Sequence, residues 1–396
     1  MNHDPLYYPY PSQRMTAYAK KGMVATSQPL AAQAGLDIMK KGGNAIDAAI
    51  ATAACLTVLE PTSNGIGSDA YALVWVKDEL HGLNSSGPAP QELSIEAVKA
   101  LGHTEMPKYG FTPVTVPGAP AAWAALSAKF GRLPLTEVLA PAIDYAENGY
   151  PLSPTLGRYW KAALQSDMKE LKGEQHQAYF DTFAPGGRSP EIGEMWRSPG
   201  HAQTLRSIAE TKAESFYRGE LADKIDAFSR QHGGFIRKAD LAAFTPEWVK
   251  PISVNYRGYD VHEIPPNGQG LVALIALNIL KGFDFAEKDS VDTYHKQMEA
   301  IKLAFADGLK YITDSKHMSM PVEALLSDAY ADERRALIGD KALTPTPGEP
   351  PKGGTVYLCT ADGEGNMVSY IQSNYMGFGA RVVVPGTGIS LQNRRS

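Results

Sequence analysis

The feature that most restricts the fold is an alanine-rich segment, AIDAAIATAACLTVLE, at residues 45–60. Gly42 and Gly43 precede it, Asn44 is a suitable N-cap, and Pro61 ends it. Alanine favours a helix and lets neighbouring elements approach closely, so the segment predicts a helix buried on every side. Such a helix needs a substantial core, which a chain of 396 residues with 43% apolar content can supply.

Two strand hairpins are predicted on either side of a long helical region. YALVWV, a turn at DE and LHGL form the first, and TVYLCTA, DGEG and NMVSYIQS form the second. Between them, the helix at 290–314 carries apolar residues at three- and four-residue spacing, which predicts one packed core face. That face comprises Tyr294, Met298, Ile301, Phe305, Leu309 and Ile312. Helices and hairpins together predict an α+β fold with a large helical portion.

Composition argues against several classes of partner. The net charge of −5 and the absence of a Lys or Arg run argue against nucleic acid, and no apolar stretch is long enough to span a membrane. The first residues carry charge and proline where a secretory signal needs an apolar run, so we expect a cytoplasmic protein.

Metals and cofactors are not expected. Two cysteines, Cys55 and Cys359, cannot form a disulfide framework or a structural zinc site. His295 and Glu299 lack a second histidine at ligand spacing. GIGSDA and GFGARV do not complete a dinucleotide-binding loop, so no nucleotide cofactor is expected.

Residues 344–354, TPTPGEPPKGG, contain four prolines and three glycines in eleven residues and predict a linker. Thr355 follows directly and begins a predicted strand. A threonine hydroxyl is a weak nucleophile, but the amino group of an N-terminal threonine, with a pKa of about 7.7–8.0, can act as its base. That amine exists only if the Gly354–Thr355 bond is cut. From the pattern alone, Gly-Gly-Thr is more often an ordinary loop sequence before a strand than a catalytic site.

Ordered motifs along the chain resemble the gamma-glutamyltransferase family. They are GGNAIDAAIATAACLTVLEP, NGIGSDAYAL, VPGAPAAWAAL, FGRLPLTEVLAPAIDYAENGYPLS, FYRGELADKI, GGFIRKADLAAFTPEWVKP, YRGYDVHEIPPNGQG, YHKQMEAIKLAFADG and GGTVYLCTADGEGNMVSYIQSNYMGFG. The resemblance implies an N-terminal-nucleophile hydrolase with an αββα core, cleaved by itself into large and small subunits.

On this resemblance the chain divides at the cleavage site. Residues 1–354 correspond to the large subunit and residues 355–396 to the start of the small subunit. The large-subunit region comprises αβ core segments at 22–118, a mainly helical part at 119–343 and the linker. The family's small subunit continues past Ser396 with an acidic substrate-binding residue and two oxyanion-hole glycines, so we expect a C-terminally truncated chain.

The resemblance also implies site residues. Thr355 corresponds to the nucleophile, with autocleavage between Gly354 and Thr355. Asn374 corresponds to a substrate-binding asparagine, although a turn residue is an equal alternative. Gln372 occupies a position where the family commonly has a second hydroxyl residue.

Ser86, in LNSSGPAP, stands where gamma-glutamyl enzymes have an arginine that binds the substrate α-carboxylate. No Arg or Lys occurs between Lys77 and Lys99, which favours the acylase-like branch of the family.

The predicted function is cleavage of gamma-glutamyl or glutaryl amides, such as glutathione, through an acyl-Thr355 intermediate, with water or an amine as acceptor. The alternatives are an acylase-branch enzyme without gamma-glutamyl preference and an inactive remnant or binding protein. The expected partners are a small-molecule amide and the chain's own small-subunit segment. The sequence is compatible with both a monomer and a homo-oligomer.

Overall fold

A computed structural model describes residues 16–345 and 354–394. Ten strands occur in this part of the chain: β1 Gly22–Thr26, β2 Asp69–Val76, β3 Glu79–Ser85, β4 Tyr150–Pro151, β5 Met195–Trp196, β6 Glu247–Val249, β7 Ile252–Tyr256, β8 Tyr259–Glu263, β9 Gly354–Asp362 and β10 Met367–Tyr375.

The sixteen α-helices of the same residues are α1 Pro29–Lys40, α2 Ala45–Leu59, α3 Ile95–Ala100, α4 Ala119–Phe130, α5 Leu135–Val138, α6 Ala140–Asn148, α7 Pro154–Glu170, α8 Gln177–Phe183, α9 Pro199–Thr211, α10 Glu214–Tyr217, α11 Glu220–Gln231, α12 Lys238–Ala243, α13 Gly270–Leu280, α14 Val291–Tyr311, α15 Val322–Leu325 and α16 Asp328–Ala336. None of these helices is long and apolar enough to cross a bilayer.

The main sheet has six strands in the order β1-β9-β10-β2-β3-β6, and every neighbouring pair is antiparallel. Both predicted hairpins are confirmed as β2–β3 and β9–β10. The first turn lies one residue earlier than the predicted DE, because Glu79 already belongs to β3. Lys77 and Asp78 connect β2 to β3 with φ of 51° and 61°, the left-handed conformation that a tight two-residue hairpin turn requires.

Helix α2 is the centre of the large core, as predicted. All of its residues are buried, and it packs against β9, β10, α1, α4 and α6. Its first turn is held by a capping box in which Asn44 Oδ1 accepts the amides of Ile46 and Asp47, and the Asp47 carboxylate accepts the amide of Asn44. The small side chains allow this helix to lie close to the sheet and to three other helices at once.

A second, smaller apolar cluster is formed by α13, α14 and the helices that follow, with the β7–β8 hairpin against α13. The predicted packed face of α14 is wrong for four of its six residues, because, of these six, Phe305 and Ile312 alone pack against this cluster. Tyr294, Met298 and Leu309 are 44%, 59% and 45% exposed, while Ala300 and Ala304 are buried. A side chain at Gly308 would overlap Val272 of α13, so close helix packing selects the small-residue face of α14 rather than its bulky one.

The predicted division at residue 354 does not separate two cores. Strands β9 and β10 lie in the middle of the main sheet, between β1 and β2. Of the predicted linker, residues 346–353 lie outside the described residues. Gly354 already belongs to β9 and pairs with Tyr375, so the proposed scissile bond lies at the start of a strand.

Candidate active site

Thr355 is the second residue of β9, and its side chain is exposed at the wall of a cavity of about 750 Å³. The cavity is lined by parts of β2, β9 and β10, by the segment 263–270 and by Phe305 and Arg394. Such a volume accommodates a small amide substrate. Thr355 is therefore accessible within a site of suitable size.

Strand alternation places Thr355 in the cavity. Val356 and Leu358 are 1% and 0% exposed, on the face of β9 that α2 covers. Successive side chains of a strand point to opposite faces, so Thr355 and Tyr357 lie on the other face, and both line the cavity.

Ser373 is the direct neighbour of Thr355. The pairing of β9 with β10 is irregular between Gln372 and Tyr375, and this irregularity accompanies a contact of 2.9 Å between Ser373 Oγ and Thr355 Oγ1. Ser373 Oγ also accepts the amide of Tyr375 at 2.8 Å. The hydroxyl group of Thr355 is thus tied to the backbone of β10 through Ser373.

The side chain that contacts Thr355 is that of Ser373, and the side chain of Gln372 bonds elsewhere. Gln372 Nε2 donates to Asn64 Oδ1, and Gln372 Oε1 accepts from Trp123 Nε1 and Tyr370 Oη. Gln372 lines the cavity but is 1% exposed, and its side-chain amide makes its hydrogen bonds to buried residues of the core. Substrate contact by Gln372 stays a prediction that none of these contacts supports.

Asn374 is fully buried and is not among the cavity-lining residues. Its Oδ1 accepts from Ser68 Oγ at 2.8 Å, and its Nδ2 has no hydrogen-bond partner in the described part of the chain. Its contact with substrate stays a prediction, and it requires the amide to become accessible.

Ser86 belongs to a neutral hydrogen-bond network at the edge of the cavity. Its hydroxyl donates to Asn84 Oδ1 at 2.8 Å and accepts from Asn267 Nδ2 at 3.0 Å, and it also bonds the hydroxyl of Tyr71. Asn267 and Tyr71 line the cavity, whereas Ser86 does not. The position predicted for a missing arginine is therefore filled by amides and hydroxyl groups.

An ion pair with a buried carboxylate and a partly exposed guanidinium lies beside the nucleophile. Asp69 pairs with Ser373 across the sheet, and its carboxylate accepts Arg394 Nε at 2.9 Å and Arg394 Nη2 at 2.6 Å. Burial raises the pKa of Asp69, against the opposing effect of Arg394. Burial and the nearby Asp69 charge also raise the pKa of Tyr71 to about 12, so this phenol stays protonated at neutral pH.

Glu263, at the end of β8, is the other acidic residue of the cavity. Burial raises the pKa of its carboxyl, although a backbone amide at Ile264 opposes the shift. Among the described residues, no group of three or more His, Cys, Asp or Glu side chains is arranged to hold a metal ion.

Sequence reasoning missed Ser373, Asp69 and Arg394. Alternation could have separated Ser373 from Gln372, because Gln372 shares a face with Val368 and Tyr370, the buried apolar positions of β10, and Ser373 lies on the opposite face. Nothing local in the sequence connects Asp69 to Arg394, which are 325 residues apart.

Comparison with known proteins identifies relatives along almost the whole chain. The family model described as gamma-glutamyltranspeptidase matches residues 31–396. The glutathione hydrolase-like YwrD proenzyme of Bacillus subtilis is 38% identical over 95% of this chain and 71% of its own length. The Acylase ACY 1 proenzyme of Pseudomonas sp. (strain SE83) is 35% identical over 96% of this chain and 70% of its own length.

Solved structures agree with these sequence matches. A cephalosporin acylase from Bacillus halodurans is 68% identical with a TM-score of 0.94, and the match covers 99% of the present chain and 72% of the acylase chain. A chain of the gamma-glutamyltranspeptidase structure from Helicobacter pylori is 28% identical with a TM-score of 0.77, and the match covers 85% of the present chain and 97% of that chain. The predicted family resemblance and the α+β, N-terminal-nucleophile fold class are confirmed.

Proposed function

Because the chain belongs to the gamma-glutamyltranspeptidase family of enzymes, we propose that it is a threonine amidohydrolase with Thr355 as its nucleophile. The observation that carries this proposal is the position of Thr355, exposed in a cavity of substrate size with Ser373 Oγ 2.9 Å from its hydroxyl group. The proenzyme names of the relatives support a chain that is cleaved into two subunits.

The first reaction is self-cleavage. Thr355 Oγ1 attacks the carbonyl carbon of Gly354, the C–N bond breaks as the acyl group moves from nitrogen to oxygen, and water hydrolyses the resulting ester. The products are a carboxylate at Gly354 and a free amino group on Thr355. Gly354 has no Cβ, which leaves its carbonyl open to attack.

The second reaction is substrate cleavage. The new amino group, with an unperturbed pKa of about 7.7–8.0, takes the hydroxyl proton as Thr355 Oγ1 attacks the substrate amide. The amine of the substrate leaves with a proton, and the acyl group stays on Thr355 as an ester. Water or a second amine then releases it. Ser373 positions the hydroxyl group in both reactions.

The proposed substrates are gamma-glutamyl or glutaryl amides, glutathione among them. The neutral network at Ser86 lacks the guanidinium that the predicted gamma-glutamyl site requires, and this favours acylase-like substrates. The similarity to a cephalosporin acylase supports the same choice. Comparing kcat/KM for gamma-glutamyl and glutaryl anilides decides between the two substrate types.

Autocleavage is the direct test of the proposal. The purified chain is incubated, and the N-termini of its fragments are sequenced. A new terminus TVYLCT, absent from a Thr355→Ala variant, is the expected result. An intact chain after long incubation, or anilide hydrolysis that survives Thr355→Ala, would exclude the proposal and leave a binding protein as the better interpretation. A cytoplasmic location stays a prediction, to be tested by cell fractionation.

A further inference from the structure

We infer that Arg394 binds a carboxylate on the acyl group of the substrate, and that the cavity therefore selects acyl groups ending in an acid. This inference rests on the proposed function, because it concerns the substrate class of the same site. It assigns a cation to the cavity that Ser86 does not provide.

Arg394 is the one cationic side chain among the described residues that line the cavity. Its side chain is 36% exposed, whereas that of its partner Asp69 is 3% exposed. The pair thus has a buried acidic half and an accessible basic half. Asp69 also lines the cavity, but its carboxylate is almost fully covered, so a ligand reaches the guanidinium more readily.

The guanidinium is held in a fixed orientation. Asp69 accepts from Nε and from one proton of Nη2, and the ring of Tyr375 lies 5.2 Å from the guanidinium carbon. A guanidinium has five N–H donors, so three remain, two on Nη1 and one on Nη2. Within residues 16–345 and 354–394, no acceptor contacts Nη1. These donors form the end-on fork that matches a second carboxylate.

The site is also close to the nucleophile. Asp69 pairs with Ser373 across the sheet, and Ser373 contacts Thr355. Two residues, Ser373 and Asp69, therefore connect Thr355 to Arg394. A short acyl chain with its amide at Thr355 and an acid at its far end has the form that this arrangement accommodates.

The test measures ligand binding and needs no turnover. The parent is the full chain carrying Thr355→Ala, and the probes are glutaric acid monoanilide and pentananilide, which differ by the terminal carboxylate. Isothermal titration calorimetry should show glutaric acid monoanilide binding about 10- to 100-fold more tightly, as expected for charge-assisted hydrogen bonds. Adding Arg394→Gln should reduce this ratio to about twofold or less while leaving pentananilide binding unchanged.

Three further variants keep the test decisive. Arg394→Gln leaves Asp69 buried without a partner, so Asp69→Asn combined with Arg394→Gln serves as a neutral pair without that cost and should also lose the preference. Glu263→Gln removes a negative charge from the cavity and should strengthen binding of the acid. Arg188→Gln removes an exposed arginine paired with Glu194, away from the cavity, and should change nothing.

Equal binding of the two anilides in the parent, binding of neither, or a preference that survives both Arg394 variants would overturn the inference. Failure of the proposed function gives a different result. In that case the wild-type chain shows no TVYLCT terminus, while the carboxylate preference and its loss in Arg394→Gln are still observed.

Discussion

Replacing Ser373 with alanine tests how the nucleophile is positioned. Ser373 is 4% exposed, and its Oγ contacts Thr355 Oγ1 at 2.9 Å and accepts the Tyr375 amide at 2.8 Å. A neutral hydrogen bond contributes about 0.5–1.5 kcal/mol net. If that amount is lost from the transition state of self-cleavage, the rate falls about 2- to 13-fold.

The assay is a time course of TVYLCT fragment formation in freshly purified protein. Ser369→Ala is the matched control, because Ser369 lies on the same strand, lines the same cavity and bonds Tyr357 Oη at 3.0 Å without touching Thr355. Urea unfolding of both variants separates a change in cleavage rate from a loss of stability. An unchanged rate in Ser373→Ala, or equal slowing in Ser369→Ala, would refute the positioning role.

Two other predictions concern stability. Burial lowers the pKa of His201 from 6.5 to about 4, so its contribution to stability is complete above pH 6.5 and is lost as the pH falls towards 4. The free energy of unfolding in urea should fall by about 3 kcal/mol over this pH range. The His201→Gln variant should not show this fall, and an identical pH dependence in that variant would count against the assignment to His201. Asp47→Ala leaves the amides of Asn44 and Arg132 without their acceptor and should cost about 2–4 kcal/mol in the same measurement, with Asp47→Asn costing less. A cost below about 0.5 kcal/mol would contradict the capping role.

The parts of the fold set by local sequence were predictable. Asn44 and the alanine-rich segment defined α2, and the turns predicted at DE and DGEG located the hairpins, the first to within one residue, because capping and turn geometry depend on neighbouring residues. The packed face of α14 was not predictable, since periodicity shows an apolar stripe without showing which side the adjacent helix contacts.

The site was predictable only in part. Family resemblance identified Thr355, and strand alternation could have distinguished Ser373 from Gln372. The Asp69–Arg394 pair depends on a contact between distant parts of the chain, and the cavity depends on how the segment 263–270 lies over the sheet. Neither arrangement has a local signal, because both arise from tertiary packing alone.

The central claim is that Thr355 carries the acyl group during catalysis. The direct measurement is mass spectrometry of the peptide that begins at Thr355, after rapid acid quenching of the enzyme during glutaryl anilide hydrolysis. The account predicts a glutaryl group on Thr355 that appears with substrate and disappears when substrate is exhausted. A quenched, actively hydrolysing enzyme whose acyl group is found on another residue would contradict it.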